Sequence, residues 1–213
     1  MNEKLLRFNK KQKYMVFDFE TCSLNLASED NKPWQLAFAT YEGTKLLESF
    51  DYYIFWEDLN LSEGARKVTG FSDSKYKKKA TDSTKILDHF EKFLYNKEYI
   101  KLGHNILGFD IYIHNIYRRL LGRSTDYSYL SESIDTLCIA KAIAKDIEFN
   151  HEDELLPWQF KLNSFRERGL RLSLGACCKT YDVHLDTTKL HDALYDIEKN
   201  YEVFQKMLWK IEI

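Results

Sequence analysis

Two carboxylates lie two residues apart in Asp18-Phe19-Glu20, at the end of an apolar run that begins at Tyr14. In a β-strand, residues i and i+2 project from the same face, so the two side chains would point together. Burying like charges side by side is unfavourable unless a positive charge lies between them, and a divalent cation would supply that charge. A metal site and a solvated strand end are equal alternatives here, because the D-x-E spacing occurs three times in the chain.

A histidine and an aspartate lie five positions apart in the segment HDALYD, which begins at His191 and ends at Asp196. Five residues of a regular helix advance about 500°, which leaves the two side chains about 140° apart. Both can reach one site only if His191 lies on a loop before the helix and Asp196 lies within it, and we predict that arrangement. An imidazole titrates near neutral pH and can act as a general base, although a surface histidine at such a position often has no role.

A further carboxylate, Asp110, ends the segment GHNILGFD over residues 103–110. The segment joins a short predicted strand to a predicted helix, and Asp110 falls in the first turn of that helix. The helix dipole favours a carboxylate there. For this residue alone, an ordinary N-terminal helix charge is therefore the preferred explanation.

The composition of the chain limits the classes of protein to which it can belong. The 213 residues are 44% hydrophobic and 30% charged, which is enough to bury a core and excludes global disorder. The formal net charge of −2 excludes a generally basic surface but leaves room for a local basic groove. Four cysteines without a C-x-x-C pair argue against a disulfide framework and a structural zinc site. A charged N-terminus and the lack of any apolar run near ~18 residues predict a cytoplasmic protein without a membrane span.

Hydrophobic patterning predicts the elements that position the acidic segments. Three strands, at residues 14–19, 34–41 and 46–56, would form a meander. Helices and short strands then alternate, which indicates an α/β fold with a mixed sheet. The predicted helices are residues 83–96, 108–121, 137–144, 173–181 and 192–209, and the later strands are residues 99–103 and 133–136.

The organisation of the chain is predicted to be simple. Two prolines, eight glycines and no linker-like run indicate a single domain over residues 1–213. Residues 1–13 would form an N-terminal extension. Residues 145–171 are the least regular stretch, acidic early and basic late, and we interpret them as an insertion or lid.

In this order, the acidic segments resemble the DEDDh branch of the 3'-5' exonucleases, which has the ribonuclease H-like fold and includes polymerase proofreading exonucleases. The family's D-x-E-T motif and following leucine are similar to Asp18, Glu20, Thr21 and Leu24. Its G-H-N-x-x-x-F-D, D-T-L and H-x-A-x-x-D motifs resemble residues 103–110, 135–137 and 191–196. A sister branch has a tyrosine four residues before the last aspartate, where this chain has Asp192, so the chain resembles the histidine type.

The resemblance implies a ribonuclease H-like mixed sheet flanked by helices, and phosphodiester hydrolysis by a two-metal-ion mechanism. Two divalent cations, Mg²⁺ or Mn²⁺, are the implied cofactors. His191 would be the general base, and Thr21, Leu24 and Asn105 would contact the substrate. Leu24 as plain core packing and Asn105 as a helix cap are equal alternatives. The implied metal ligands are Asp18, Glu20, Asp110 and Asp196.

The implied substrate is the 3' end of a single strand, with DNA favoured and RNA open, and the implied product is a nucleoside 5'-monophosphate. A nucleic-acid-binding module without catalysis and a proofreading subunit that needs a polymerase partner are the alternatives. A homodimer is also open, because some relatives dimerise. The complete acidic set favours the enzyme.

Two basic runs are weaker candidates for contact with a nucleic acid. Residues 75–79 (KYKKK) mix charge with an aromatic ring, but such a run is more often a solvated loop. Arg166, Arg168 and Arg171 would reach phosphate groups only if their loop folds over the site. Two departures from the family, the long stretch 145–171 and Gly175 at a commonly acidic position, affect the choice of substrate rather than the chemistry.

Overall fold

A mixed β-sheet forms the centre of the computed structural model, which describes residues 5–213. Its strands are β1 (Lys13–Thr21), β2 (Pro33–Glu42), β3 (Lys45–Ile54), β4 (Ala80–Thr81), β5 (Tyr99–Gly103) and β6 (Ser133–Asp135). Their order across the sheet is β4-β3-β2-β1-β5-β6. β1 pairs antiparallel with β2 and parallel with β5. The predicted meander and the mixed α/β sheet are both confirmed.

Helices cover both faces of this sheet. Within residues 5–213 they are α1 (Glu63–Thr69), α2 (Asp73–Lys79), α3 (Ser83–Leu94), α4 (Asp110–Leu120), α5 (Thr136–Ala144), α6 (Leu155–Ser164), α7 (Leu174–Thr180) and α8 (Ala193–Met207). α3, α4, α5, α7 and α8 correspond to the helices that the sequence predicts, with ends that differ by a few residues. None of the helices in the described part combines the length and apolar character needed to cross a bilayer.

The alternation of side chains along β1 decides which face carries its acidic pair. The Tyr14 ring packs towards α8, with its centroid 5.6 Å from that of Phe204. The Phe19 ring lies on the opposite face, 5.6 Å from Phe90 of α3. Successive side chains of a strand point to opposite faces. Asp18 and Glu20 therefore lie on the same face as Tyr14, which is the α8 side of the sheet.

Two short helices, α1 and α2, occupy a stretch for which the sequence predicts no regular structure. Each is capped by a serine, since the hydroxyl of Ser62 accepts from the Ala65 N–H and that of Ser72 from the Lys75 N–H. Gly70, in the left-handed region at φ 62°, ends α1. The run 75–79 is therefore a helix rather than a loop, while its lysines are exposed to solvent as predicted. Seven-residue polar helices carry too few apolar residues to show a period.

The stretch 145–171 is more regular than the sequence predicts, because it contains α6. Trp158 and Leu162 of this helix are buried in the main core. Pro157 lies in the first turn, where its missing N–H breaks no helical hydrogen bond. The acidic residues before α6 obscure this apolar spacing in the sequence, and the helix packs against the main core. That residues 145–171 act as a lid stays a prediction. That the stretch is an insertion stays a prediction.

One side chain of α6 reaches the free side of the last strand. Gln159, fully buried, accepts from the Asp135 N–H through Oε1 at 2.7 Å. Its Nε2 donates to the Ser133 carbonyl at 2.9 Å. One amide therefore pairs with an N–H and a C=O of β6, as a neighbouring strand would pair with them.

Candidate active site

Two carboxylates stand at the carboxyl end of β1, at the edge where the sheet meets the start of α8. Glu20 is buried and Asp18 is half-buried. Glu20 lies opposite Gln35 of β2 in the antiparallel register, so both project on the α8 side. The strand ends one residue later with an irregularity in register between Glu20 and Thr21.

Asp110 comes to the same place from a different element. It is the first residue of α4 and is 2% exposed. Its Oδ1 accepts a hydrogen bond from the backbone N–H of Phe19, between the two acidic residues of β1, at 3.1 Å. The predicted place in the first helical turn is correct, and the side chain is in addition buried against β1, so Asp110 is more than an N-terminal helix charge.

The loop that leads into α4 is held by a buried aspartate. Asp135 is fully buried and accepts from the N–H groups of Asn105 at 2.9 Å, Leu107 at 3.0 Å and Leu137 at 2.9 Å. Asn105 adopts a left-handed conformation at φ 69°, which turns the chain sharply after β5. Three convergent N–H donors compensate the buried charge and fix this turn.

His191 and Asp196 are placed as the sequence predicts. His191 lies on an exposed turn before α8, and Asp196 lies in the first turn of the helix. The backbone N–H of His191 donates to Asp196 Oδ2 at 3.0 Å, which ties the turn to the helix. His191 has φ 67°, a left-handed conformation that is strained for a residue with a Cβ.

These residues form one cluster. Ligand atoms of Glu20, His191 and Asp196 all lie within 4.8 Å of one another. Burial first, and then the neighbouring carboxylates, raise the pKa values of Asp18 and Glu20 well above their usual range. Burial is also the main cause that raises the pKa of Asp110 to about 7 and that of Asp196 to about 6.

The donor set fits divalent cations. Asp196 Oδ1 is buried and finds no hydrogen-bond partner within the described residues. The cluster gathers hard carboxylate oxygens from β1, α4 and α8, and their mutual repulsion is relieved when a cation lies among them. The predicted metal ligands therefore lie together, and the alternative of a solvated strand end for Asp18 and Glu20 is wrong.

The predicted substrate residues differ in exposure. Leu24 is 84% exposed, so the alternative of core packing is wrong. Thr21 is buried, and its hydroxyl donates to the Ser23 carbonyl at 2.6 Å. Asn105 begins a 3-10 turn at residues 106–108 but makes no side-chain capping bond, so its amide is free for other contacts.

One further residue of the site, His104, was not singled out by sequence reasoning. Its Nδ1 lies 3.0 Å from Thr136 Oγ1 and its Nε2 lies 2.9 Å from the Leu172 carbonyl. Burial lowers the pKa of His104 to about 4, so it is neutral at physiological pH. The only sequence signal for it is its place within the second acidic segment. A cavity of 210 Å³ brings it together with Asp18, His191 and Asp196.

Other basic candidates lie away from the cluster. Arg118 and Arg123, near the end of α4, pair with Glu91 of α3. A larger cavity, of 730 Å³, opens beside His191 between α1, α2 and the turn before α8. Phe71 and Tyr53 are among its lining residues. It offers room for an organic group beside His191.

The sequence matches the RNase_T family model, described as an exonuclease, over residues 15–204. No curated protein sequence matches the chain. The fold is similar to that of solved nuclease structures. E. coli exonuclease I in complex with a dA16 oligonucleotide has a TM-score of 0.71 at 15% identity, over 93% of this chain and 41% of that one. Cell-death related nuclease 4 (CRN-4) has a TM-score of 0.66 at 16% identity, over 93% of this chain and 64% of that one.

At these identities the likeness shows the fold, which is the predicted ribonuclease H-like arrangement of a mixed sheet and flanking helices. The chain spans about two fifths of the length of exonuclease I. The family match, over residues 15–204, includes every member of the acidic cluster.

Proposed function

The chain belongs to the RNase_T exonuclease family, and from that premise we propose that it hydrolyses single-stranded nucleic acid from the 3' end to nucleoside 5'-monophosphates. The observation that carries the proposal is the convergence of Asp18, Glu20, Asp110 and Asp196 beside His191. These residues come from three separate elements and meet at one edge of the sheet. A structural role does not explain four mutually repelling carboxylates, whereas cation-assisted hydrolysis does.

The four carboxylates would hold two divalent cations, Mg²⁺ or Mn²⁺. When bound, the cations would supply an activated water and stabilise charge on the scissile phosphate. Asp110 is suited to a fixed ligand position, because its other contact is to the backbone of β1. Asp196 is suited to the same task, because Oδ2 is engaged by the His191 N–H while Oδ1 has no partner in the described chain.

His191 would take the proton of the attacking water on a ring nitrogen. Its side chain is exposed, so the proton can pass on to solvent. The hydrogen bond from its backbone to Asp196 keeps the imidazole near the carboxylates while the ring itself stays free to turn. A positioned general base of this kind contributes roughly 10²–10⁴-fold to a rate.

The terminal nucleotide would lie on the β2 side of the cluster. Thr21 ends β1 there, and the exposed Leu24 follows it. The Cys22 carbonyl accepts from the Ser62 N–H, which holds this loop against the segment before α1. Leu24 would pack on the terminal base, and Asn105 would orient the phosphate from the β5 side.

Single-stranded DNA is the proposed substrate, with RNA as the second candidate. The exonuclease I structure named above was solved with a dA16 oligonucleotide and a further one with a dT13 oligonucleotide, and both share this fold. A polymerase partner and a homodimer stay predictions. Discrimination between DNA and RNA would rest on how the 2'-hydroxyl fits beside Thr21.

Digestion of 5'-labelled single strands tests the proposal. DNA and RNA 20-mers would be incubated with the protein and Mg²⁺, Mn²⁺ or a chelator. We expect a metal-dependent ladder that shortens from the 3' end, lost in Asp18→Asn. Asp146→Asn is the matched control, because Asp146 stands in another D-x-E segment and is exposed. Intact strands in every lane, or equal activity of Asp18→Asn and the wild type, would overturn the proposal.

A further inference from the structure

A second cavity borders the acidic cluster on the side away from Leu24. It measures 440 Å³, and its lining includes His104, Asn105, Arg166 and Ser173. His104 and Ser173 also line the 210 Å³ cavity that contains Asp18 and His191. The two cavities therefore share a wall, and a chain bound at the catalytic cluster can continue into the larger one.

The direction of that continuation follows from the sheet order. β5 lies on one side of β1 and β2 lies on the other. The loop that carries Thr21 and Leu24 leads towards β2, whereas His104 and Asn105 follow β5. With the 3'-terminal nucleotide on the β2 side, as proposed above, the rest of the strand leaves on the β5 side, where this cavity opens.

The loop between α6 and α7 brings uncompensated positive charge to this cavity. Arg166 lines it, and Arg168 and Arg171 are exposed on the same loop. Within residues 5–213 none of the three forms an ion pair with a carboxylate. The one acidic residue of the lining, Glu167, is paired with Lys145. The Arg166 guanidinium donates to the carbonyls of Asn163 and Phe165, which orients it on the loop without neutralising its charge. Three guanidinium groups without a carboxylate partner are well placed to attract a polyanion.

The loop is fixed rather than loosely attached. Lys141, buried beneath it, donates through Nζ to the carbonyls of Leu162 at 2.9 Å, Asn163 at 3.0 Å and Phe165 at 3.1 Å. The Leu172 carbonyl is held by His104 at its other end. Nδ2 of Asn163 is buried without an acceptor within the described residues. The loop that carries the arginines is therefore preorganised.

We propose that this cavity and its arginines bind the backbone of the single strand on the 5' side of the scissile phosphate. The inference rests on the proposed function and adds to it the path of the substrate. Arg166 would contact the first phosphate beyond the cleavage point, with Arg168 and Arg171 further out. The cavity is in the range of small-ligand sites, which suits a few unpaired nucleotides rather than a duplex.

The test compares two triple variants in binding and cleavage. The first carries Arg166→Gln, Arg168→Gln and Arg171→Gln. The matched control carries Lys45→Gln, Lys92→Gln and Lys97→Gln, three exposed and unpaired cations near the opposite end of the sheet. Fluorescence anisotropy would follow 5'-labelled oligo-dT of two and twelve nucleotides in chelator, at several salt concentrations.

We expect the wild type and the control to bind the 12-mer at least tenfold more tightly than the dinucleotide. The arginine variant should lose most of that gain, and its salt slope for the 12-mer should fall by about 2, since each phosphate contact in a single strand contributes about 0.7. A wild-type length dependence and salt slope in the arginine variant would overturn this inference alone. A wild type that neither binds nor cuts any strand would overturn the proposed function as well.

Discussion

The carboxylate of Asp110 accepts a hydrogen bond from the backbone N–H of Phe19 at 3.1 Å, although 91 positions separate the two residues in the chain. This contact fixes the start of α4 to the backbone of β1 between Asp18 and Glu20. It also buries Asp110 among other carboxylates. A charged Asp110 is unfavourable there unless it is protonated or a cation is bound nearby. The same geometry that builds the site therefore weakens the protein when no cation is bound.

Asp110→Asn should separate function from stability. The amide oxygen can still accept from Phe19, while the buried charge is lost. We expect hydrolysis to fall by at least 10²-fold and the melting temperature in chelator to rise. Thermal unfolding and the 20-mer digestion would measure the two effects. Asp153→Asn, at an exposed position, is the control and should change neither. A lower melting temperature for Asp110→Asn would contradict the account of a destabilising charge.

The metal-free protein should lose stability as the pH rises from about 4 to about 7. Burial raises the pKa of Asp196 to about 6 and of Asp110 to about 7, above the unfolded value near 3.9. Over this interval the unfolded chain has released these protons and the folded chain has not, so the free energy of unfolding falls.

The pKa of His104, lowered to about 4, acts in the opposite sense, since it favours folding more as the pH rises towards 6.5. His114, whose pKa burial also lowers, acts in the same sense as His104. The four carboxylates with raised pKa values, Asp18, Glu20, Asp110 and Asp196, outweigh these two histidines. Urea unfolding in chelator at pH 5 and pH 8 would measure the balance, and Mg²⁺ at pH 8 should restore the lost stability. Greater stability at pH 8 in chelator would show that the carboxylates are not protonated as described.

His191→Gly should lower the rate of hydrolysis by about 10²–10⁴-fold without loss of the fold. His191 is exposed and has φ 67°, so glycine fits its backbone without strain. Added imidazole should restore part of the rate, because the vacated space opens to solvent. His184→Gly, at another exposed histidine near this turn, is the control and should retain the rate. A His191→Gly protein with full activity, or one that imidazole leaves unchanged, would contradict the role of proton acceptor.

Leu24→Ala should leave the melting temperature unchanged, because the side chain is 84% exposed. It should raise KM for single strands several-fold through the loss of contact with the terminal base. Steady-state kinetics on the 20-mers would separate KM from kcat. Leu46→Ala, at an exposed residue near the far end of the sheet, is the matched control. An unchanged KM would remove Leu24 from the substrate site.

Gly103→Ala should destabilise the protein by about 2–3 kcal/mol, an overpacking effect. A Cβ at this position would lie 2.0 Å from Ile106 Cγ2 and 3.0 Å from the Phe17 carbonyl oxygen. Gly64→Ala, in α1, meets nothing closer than 4.0 Å and should stabilise slightly. Chemical denaturation of the two variants would show the contrast, and equal stability would mean that β5 and the following turn can shift apart.

The sequence was sufficient to predict those parts of the fold and of the site that depend on a local residue pattern. The D-x-E spacing on an apolar strand and the helix geometry of His191 and Asp196 depend on a few neighbouring residues. The three strands of the meander and the amphipathic α3 were predicted for the same reason, since burial repeats with the period of the element.

Other parts of the fold and of the site depend on contacts between residues far apart in the chain, and a local pattern does not predict them. Asp135 holds the turn at Asn105 across 30 positions. His104 owes its neutral form to burial beneath residues near α7. The sequence shows the positive charge of Arg166, Arg168 and Arg171, but it does not show that they lie beside the site. α6 fixes that place, and its apolar spacing was hidden beside an acidic run.

The amide of Gln159 has a consequence for how this molecule meets others. An edge strand with unpaired N–H and C=O groups is a template on which a strand of another molecule can assemble. On β6 the Asp135 N–H and the Ser133 C=O are already paired with Gln159, so the side chain of one helix makes the hydrogen bonds that a seventh strand would make there. The β6 edge is therefore a poorer template for a strand of another molecule than an uncovered edge would be.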